Sequence, residues 1–224
     1  MLKYTKSLAL VALLSAGTVM AYGVDESKIT TPDEAISALK AGNERFVNGN
    51  TLNQDFARQI KETSGDQHPY ATILSCLDSR IPPEIIFDQG IGDVFVGRVA
   101  GNVEDVNMIG SFEFSAVLKG VKAIVVMGHT SCGAVSGACQ NAKLDNLTLL
   151  LNEIQPAVEL IKADHPGEKV CEAPLVNDIS KANVVQTIND IRAKSPLLVE
   201  LEKQGKLRIV GAMYDISTGE VSFL

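Results

Sequence analysis

A chain of 224 residues with 46% apolar content is long enough to bury a sizeable core, and one domain behind a removable leader is the expected organisation. Its 20 basic and 27 acidic residues give a formal charge of −7, which argues against nucleic acid or an anionic membrane surface as a partner. The four cysteines leave metal binding and disulfides as the two chemistries to weigh.

The first 21 residues read as a secretory signal peptide. Lys3 and Lys6 make a positive start, Ser7 to Val19 is apolar and small, and Val19-Met20-Ala21 fits a small-x-small cleavage site. The implied location is periplasmic or secreted. Removing a leader with two lysines and no acid takes the formal charge to −9. Its apolar stretch is shorter than the ~20 residues of a spanning helix, so no membrane insertion is expected after cleavage. An uncleaved anchor is the competing reading. Residues 22–224 would then be the mature domain, with a helical arm over 22–68 and an α/β core over 69–224.

Thr31-Pro32-Asp33-Glu34 supplies a hydroxyl cap, a proline at the first helical position and acids beside the positive end of the dipole. Ile36, Leu39, Asn43 and Phe46 continue at helical spacing to a stop at Asn48-Gly49-Asn50. This amphipathic arm packs either on its own core or on a partner subunit. Residues 61–68 read as a polar stretch before the first strand, Ala71 to Leu74. Pro82-Pro83 opens a short helix to Phe87, and a second strand follows over Asp93 to Val99. A helix over Asn107 to Leu118, a strand from Ala123 into His129, and a helix over Ser131 to Gln140 with Cys132 in its first turn come next. Leu147 to Ala163 is helical but should kink or break at Pro156. Two more helices, Asn177 to Ala193 and Pro196 to Gln204, precede strands over Leu207 to Met213 and Glu220 to Leu224. Alternating strands and helices predict an α/β fold: a mostly parallel central sheet with an antiparallel C-terminal edge strand, flanked by helices, plus the N-terminal arm.

Two strand ends carry the chemistry: Cys76-Leu77-Asp78-Ser79-Arg80 and Gly128-His129-Thr130-Ser131-Cys132-Gly133. Open α/β sheets place ligand sites at the carboxyl ends of their strands. Cys76, His129 and Cys132 offer two thiolates and an imidazole, a soft set suited to one tetrahedral Zn²⁺ with a fourth position left over. Asp78 and Arg80 alternate with Cys76 along the loop, so a bidentate pair would keep the carboxylate ionised and able to orient a zinc-bound water or hydroxide. The blander readings are two buried thiols with a satisfied histidine, and an Asp78–Arg80 pair that only braces its loop. Two thiolates make such a water less acidic than three imidazoles would, so activity should rise from neutral to alkaline pH. Cys139 and Cys171 are left either as a disulfide or as two buried free thiols.

CLDSR, GHTSCGA and the intervening FVGRVAGN closely resemble the β-class carbonic anhydrases, and the likeness runs to the closing GAMYD. It implies a zinc enzyme for the reversible hydration of CO2 to bicarbonate and a proton, working as a homodimer or homotetramer with sites beside the subunit interface. Cys76, His129 and Cys132 would hold one Zn²⁺ per subunit, Asp78 and Arg80 would be the catalytic dyad, and Gln67, Phe95 and Gly133 would contact substrate. One subgroup of the family has an inhibitory bicarbonate site; here its positions read Ile73, Arg98 and Phe114, so only the arginine is retained and strong bicarbonate inhibition is not expected. His68 and His165 are loop histidines, with His68 the better placed to relay protons. Two other functions compete: a non-catalytic zinc protein whose fourth ligand is Asp78, and hydrolysis of carbon disulfide or carbonyl sulfide on the same scaffold.

Overall fold

A computed structural model describes residues 29–52 and 54–224; the signal peptide expected over 1–21 lies outside the described residues. Five strands, β1 (Ala71–Ser75), β2 (Val94–Arg98), β3 (Ala123–His129), β4 (Arg208–Tyr214) and β5 (Val221–Phe223), form one sheet in the order β2-β1-β3-β4-β5. The first four are parallel and β5 runs antiparallel to β4, the arrangement expected from the alternation of elements. The central strands β1 and β3 are buried along their whole length, which accounts for their unbroken apolar sequence. Alternate residues serve opposite faces. Ile73, Val125 and Met127 join one core layer, while Leu74, Ile124 and Val126 join the other.

The helices are α1 (Pro32–Val47), α2 (Phe56–Thr63), α3 (Pro83–Ile86), α4 (Val106–Glu113), α5 (Gly133–Cys139), α6 (Asp145–Asp164), α7 (Leu175–Lys194) and α8 (Pro196–Lys203). Helix α1 begins with the expected cap, completed by the Glu34 side chain reaching back to Thr31. It packs on its own domain. Ala35, Ile36 and Leu39 enter the core, and the Asn43 amide ties the helix to the Ile86 and Gly219 carbonyls and to the Val221 N–H. At Gly42 the helix approaches so closely that a Cβ would overlap the Phe87 carbonyl.

Three local expectations are corrected. Helix α2 was not anticipated, because its buried residue is Gln59 while Phe56 and Ile60 face outward, which reverses the usual amphipathic signal. Gln59 is held by Ile91 N–H and Gln54. Helix α6 runs through Pro156 without a break: Pro156 and Asn152 are both exposed, so the carbonyl that loses its helical donor meets water. Helix α4 passes into a π-helical turn, Phe114–Leu118, where Ser115 turns inward to donate to the Phe112 carbonyl and accept from Thr72. Cys139 and Cys171 form a disulfide, leaving Cys76 and Cys132 as the free cysteines.

Candidate metal centre

Strand register brings the two chemical loops together. Ser75, the last residue of β1, lies beside Met127, so the chain leaving β1 at Cys76 runs alongside Gly128 and His129 of the longer β3. Beyond His129 the Thr130 N–H donates to the Tyr214 carbonyl, and Ser131 takes a left-handed φ of 55° with its N–H held by the Asn177 side chain. That turn delivers Cys132 to the N-cap of α5, just before the first turn and not within it, in extended backbone. Its sulfur still faces the first-turn N–H groups of Ala134 and Val135.

Cys76, His129 and Cys132 are all buried, and their ligating atoms lie within 4.8 Å of one another, with the two sulfurs 3.9 Å apart. His129 Nδ1 sits 2.9 Å from the Thr130 carbonyl, which assigns the ring proton to Nδ1. Nε2 is buried with no hydrogen-bond partner among the described residues. A buried acceptor left without a donor is costly, and a metal ion is the partner that suits a neutral imidazole nitrogen. The donor set therefore fits a divalent ion on the geometry of this chain alone.

The thiols point the same way. The Cys132 S–H and the Gly101 N–H, 3.2 Å from Cys76 Sγ, together pull the Cys76 thiol well below its ordinary value against the opposing effect of burial. The hydrogen bond to Cys76, burial and the nearby negative charge push Cys132 up. The two sulfurs, 3.9 Å apart, are joined by a hydrogen bond through a thiol proton. A divalent cation takes its place without leaving two adjacent thiolates to repel each other. Gly101 is itself fixed: its φ is +71°, its carbonyl accepts from the buried Asn183 amide at 2.7 Å, and a Cβ on it would lie 2.6 Å from Ile154 Cδ1.

Asp78 and Arg80 form the bidentate pair that their spacing suggested. Arg80 Nε donates to Oδ1 at 2.9 Å and Nη2 to Oδ2 at 2.6 Å, while the Arg80 backbone N–H also donates to Oδ1 at 2.9 Å. These bonds hold the Asp78 carboxyl well below the usual carboxylate range and raise Arg80 further. The sulfurs of Cys76 and Cys132 act electrostatically on Arg80, and Asp78 follows Cys76 by two residues, so the pair and the cluster share one site. A residue that the sequence offered only as a relic of a bicarbonate site also takes part. Arg98 donates through Nε to the Cys76 carbonyl at 3.2 Å and through Nη2 to the Asp78 carbonyl.

The remaining residues named from sequence are dispersed. Gly133 adjoins Cys132, and an added Cβ there would meet open space. Gln67 precedes β1 and lines a separate cavity with Asp66, Ile91 and Gly92, at the opposite end of the strand from Cys76. Phe95 stands beside Thr72 in β2, with its ring edge-on to Phe114 at 6.1 Å, on the face opposite Ile73. His68 lies exposed, and His165 bonds Glu168.

The carbonic anhydrase family model matches residues 71–221. "Carbonic anhydrase 2" of Mycobacterium tuberculosis is 37% identical over 193 residues, spanning 85% of this chain and 91% of its own length. The carbonic anhydrase of Mycolicibacterium smegmatis is 34% identical over 194 residues, 86% of this chain and 93% of that protein. Among solved structures, a β-carbonic anhydrase of Coccomyxa superposes with a TM-score of 0.68 at 25% identity, covering 75% of this chain and 77% of that one. The β-carbonic anhydrase CafA of Aspergillus fumigatus gives 0.67 at 27% identity, covering 84% and 90%.

Proposed function

The chain belongs to the β-class carbonic anhydrases, and from that premise we propose that it hydrates CO2 reversibly to bicarbonate and a proton at a zinc ion held by Cys76, His129 and Cys132. The observation that carries this reading is the unpartnered, buried Nε2 of His129 facing two buried cysteines whose sulfurs lie 3.9 Å apart. A zinc ion there would serve as a Lewis acid and draw the attacking nucleophile from water near neutral pH.

The protein's own groups then do the orienting. Thr130 fixes the His129 tautomer, so that Nε2 and not Nδ1 faces the ion. The first-turn N–H groups of α5 and the Gly101 N–H favour the thiolate forms of Cys132 and Cys76. Asp78 is the acceptor that orients the attacking water. Oδ1 already receives two N–H bonds from Arg80, whereas Oδ2 receives one, leaving an Oδ2 lone pair for a third donor. Because Arg80 keeps Asp78 ionised, that lone pair is available throughout the neutral range.

A second copy of the chain completes the site in this reading. Gln67 lies more than the length of β1 from Cys76, about 13 Å of extended chain, so a substrate contact by Gln67 requires another subunit. The edge strand β2 and the adjoining Val106, Phe114, Val117 and Leu118 give an apolar surface for a homodimer or homotetramer, with Leu118 70% exposed. Export to the periplasm or the medium is supported by the leader-like start and by the Cys139–Cys171 disulfide. Stopped-flow CO2 hydration with and without a chelator tests the function. Turnover that disappears with zinc and returns on its addition supports it, and zinc-dependent folding without turnover would favour a non-catalytic zinc protein.

A further inference from the structure

Arg98 closes β2 beside Ser75, the last residue of β1, and so stands at the root of the loop that carries both the Cys76 thiol and the Asp78 carboxylate. Its two N–H donors grasp carbonyls two residues apart, those of Cys76 and Asp78. Among the described residues it has no carboxylate partner, and both of its hydrogen bonds go to this stretch of backbone. Packing does little for the same stretch: the Leu77, Ser79 and Arg80 side chains lie exposed, and the next buried anchor is Ile81. Further bonds are built on the position that Arg98 sets. Ile81 N–H donates to the same Asp78 carbonyl at 3.1 Å, and Arg80 N–H donates to Asp78 Oδ1 at 2.9 Å.

We propose that Arg98 is a positioning residue for the Asp78–Arg80 pair: by fixing the Cys76 and Asp78 carbonyls with one rigid fork, it sets the direction in which the Asp78 carboxylate faces the Cys76, His129 and Cys132 ligand set. The inference rests on the reading of Asp78 as the acceptor that orients the attacking water. A planar guanidinium can satisfy both carbonyls at once and hold their relative orientation, which a single ammonium cannot. Nothing in the packing of Leu77 or Ser79 would restore that orientation once the fork is gone. Catalysis that depends on aim is sensitive to it, since a displacement of about 1 Å costs on the order of a hundredfold in rate.

The test uses Arg98→Met, which removes both donors and keeps an unbranched apolar stem as far as the Nε position, and Arg98→Lys, which keeps one donor group. In metal-free protein, backbone amide exchange is measured at Arg80 and Ile81 against Val125 and Val126 in β3. In zinc-loaded protein, kcat and KM for CO2 are measured at matched zinc content. For Arg98→Met the expected result is exchange at Arg80 and Ile81 faster by about tenfold or more with β3 unchanged. Its kcat should fall at least about tenfold while KM moves less than about twofold, with partial recovery of kcat in Arg98→Lys. Unchanged exchange at Arg80 and Ile81 overturns the proposal, as does faster exchange with kcat intact, or a loss of kcat that merely tracks lost zinc. If β3 also exchanges faster in the methionine variant, the lysine variant decides: native β3 exchange with native kcat overturns the proposal, and native β3 exchange with reduced kcat supports it. A wild-type protein that binds zinc and fails to hydrate CO2 would refute the functional reading and leave the exchange comparison to judge the hold of Arg98 on its loop.

Discussion

Replacing Gly101 with alanine separates two demands that the fold makes of one residue beside the metal site. The residue has a φ of +71°, and an alanine forced into that left-handed region costs about 1–2 kcal/mol. Its new Cβ would lie 2.6 Å from Ile154 Cδ1 and 3.4 Å from Ala134 Cβ, an overpacking that costs about 1–3 kcal/mol. Together the variant should lose about 2–5 kcal/mol, a fall in Tm of about 4–20 °C for a domain of this size. The shift also moves the N–H that donates to Cys76 Sγ, so zinc affinity should fall with stability. Ile154→Val removes the offending Cδ1 atom and costs about 0.5–1.5 kcal/mol alone. In that background Gly101→Ala should cost only the backbone part, about 1–2 kcal/mol. Denaturant unfolding of all four metal-free proteins at one protein concentration measures the cycle. An equal cost of Gly101→Ala in both backgrounds would refute the packing argument, and a cost below about 0.5 kcal/mol in the native background would refute both parts.

Asp78→Asn should retain zinc and lose on the order of a hundredfold in kcat, read by stopped-flow hydration and metal analysis; loss of zinc in place of kcat would assign Asp78 a structural role. Because the Asp78 carboxyl is held below its ordinary value of 3.8, the pairing with Arg80 is complete above about pH 4 and is lost only as pH falls through the lowered value. Its carboxyl ¹³C shift should therefore stay flat from about pH 8 to pH 4, and a titration near pH 5 or 6 would contradict the assignment. The Cys139–Cys171 bridge closes a separation of 32 residues, so Cys139→Ser with Cys171→Ser should lower stability by about 3–4 kcal/mol. Unreduced, denatured, metal-free protein should show two reactive thiols, and four would exclude the bridge.

The strands and the site triad were legible for one reason: Cys76 and His129 each follow an apolar run long enough to be a buried strand, and parallel strands end together. The Asp78–Arg80 pair was legible from two-residue alternation in an extended loop. What was hidden depends on contacts distant in sequence. Helix α2 buries Gln59, whose partner Ile91 lies 32 residues away, so no local hydrophobic period marked it. The unbroken α6 depends on solvent at Asn152 and not on the proline alone. Cys139 and Cys171 are joined by the packing of α5 against the chain that leads into α7, which no spacing rule contains. Arg98 illustrates the limit most clearly. Its side chain looked like part of an anion site, yet its fork is committed to two backbone carbonyls that a sequence does not display.

X-ray absorption at the zinc K-edge, taken on metal-loaded protein at a pH where CO2 hydration is measured, tests the central claim most directly. Two sulfurs at about 2.3 Å, one imidazole nitrogen at about 2.0–2.1 Å and one light atom that exchanges with solvent are the predicted shell. A shell with fewer than two sulfurs, or one filled by four protein donors under conditions where the enzyme turns over, would contradict it.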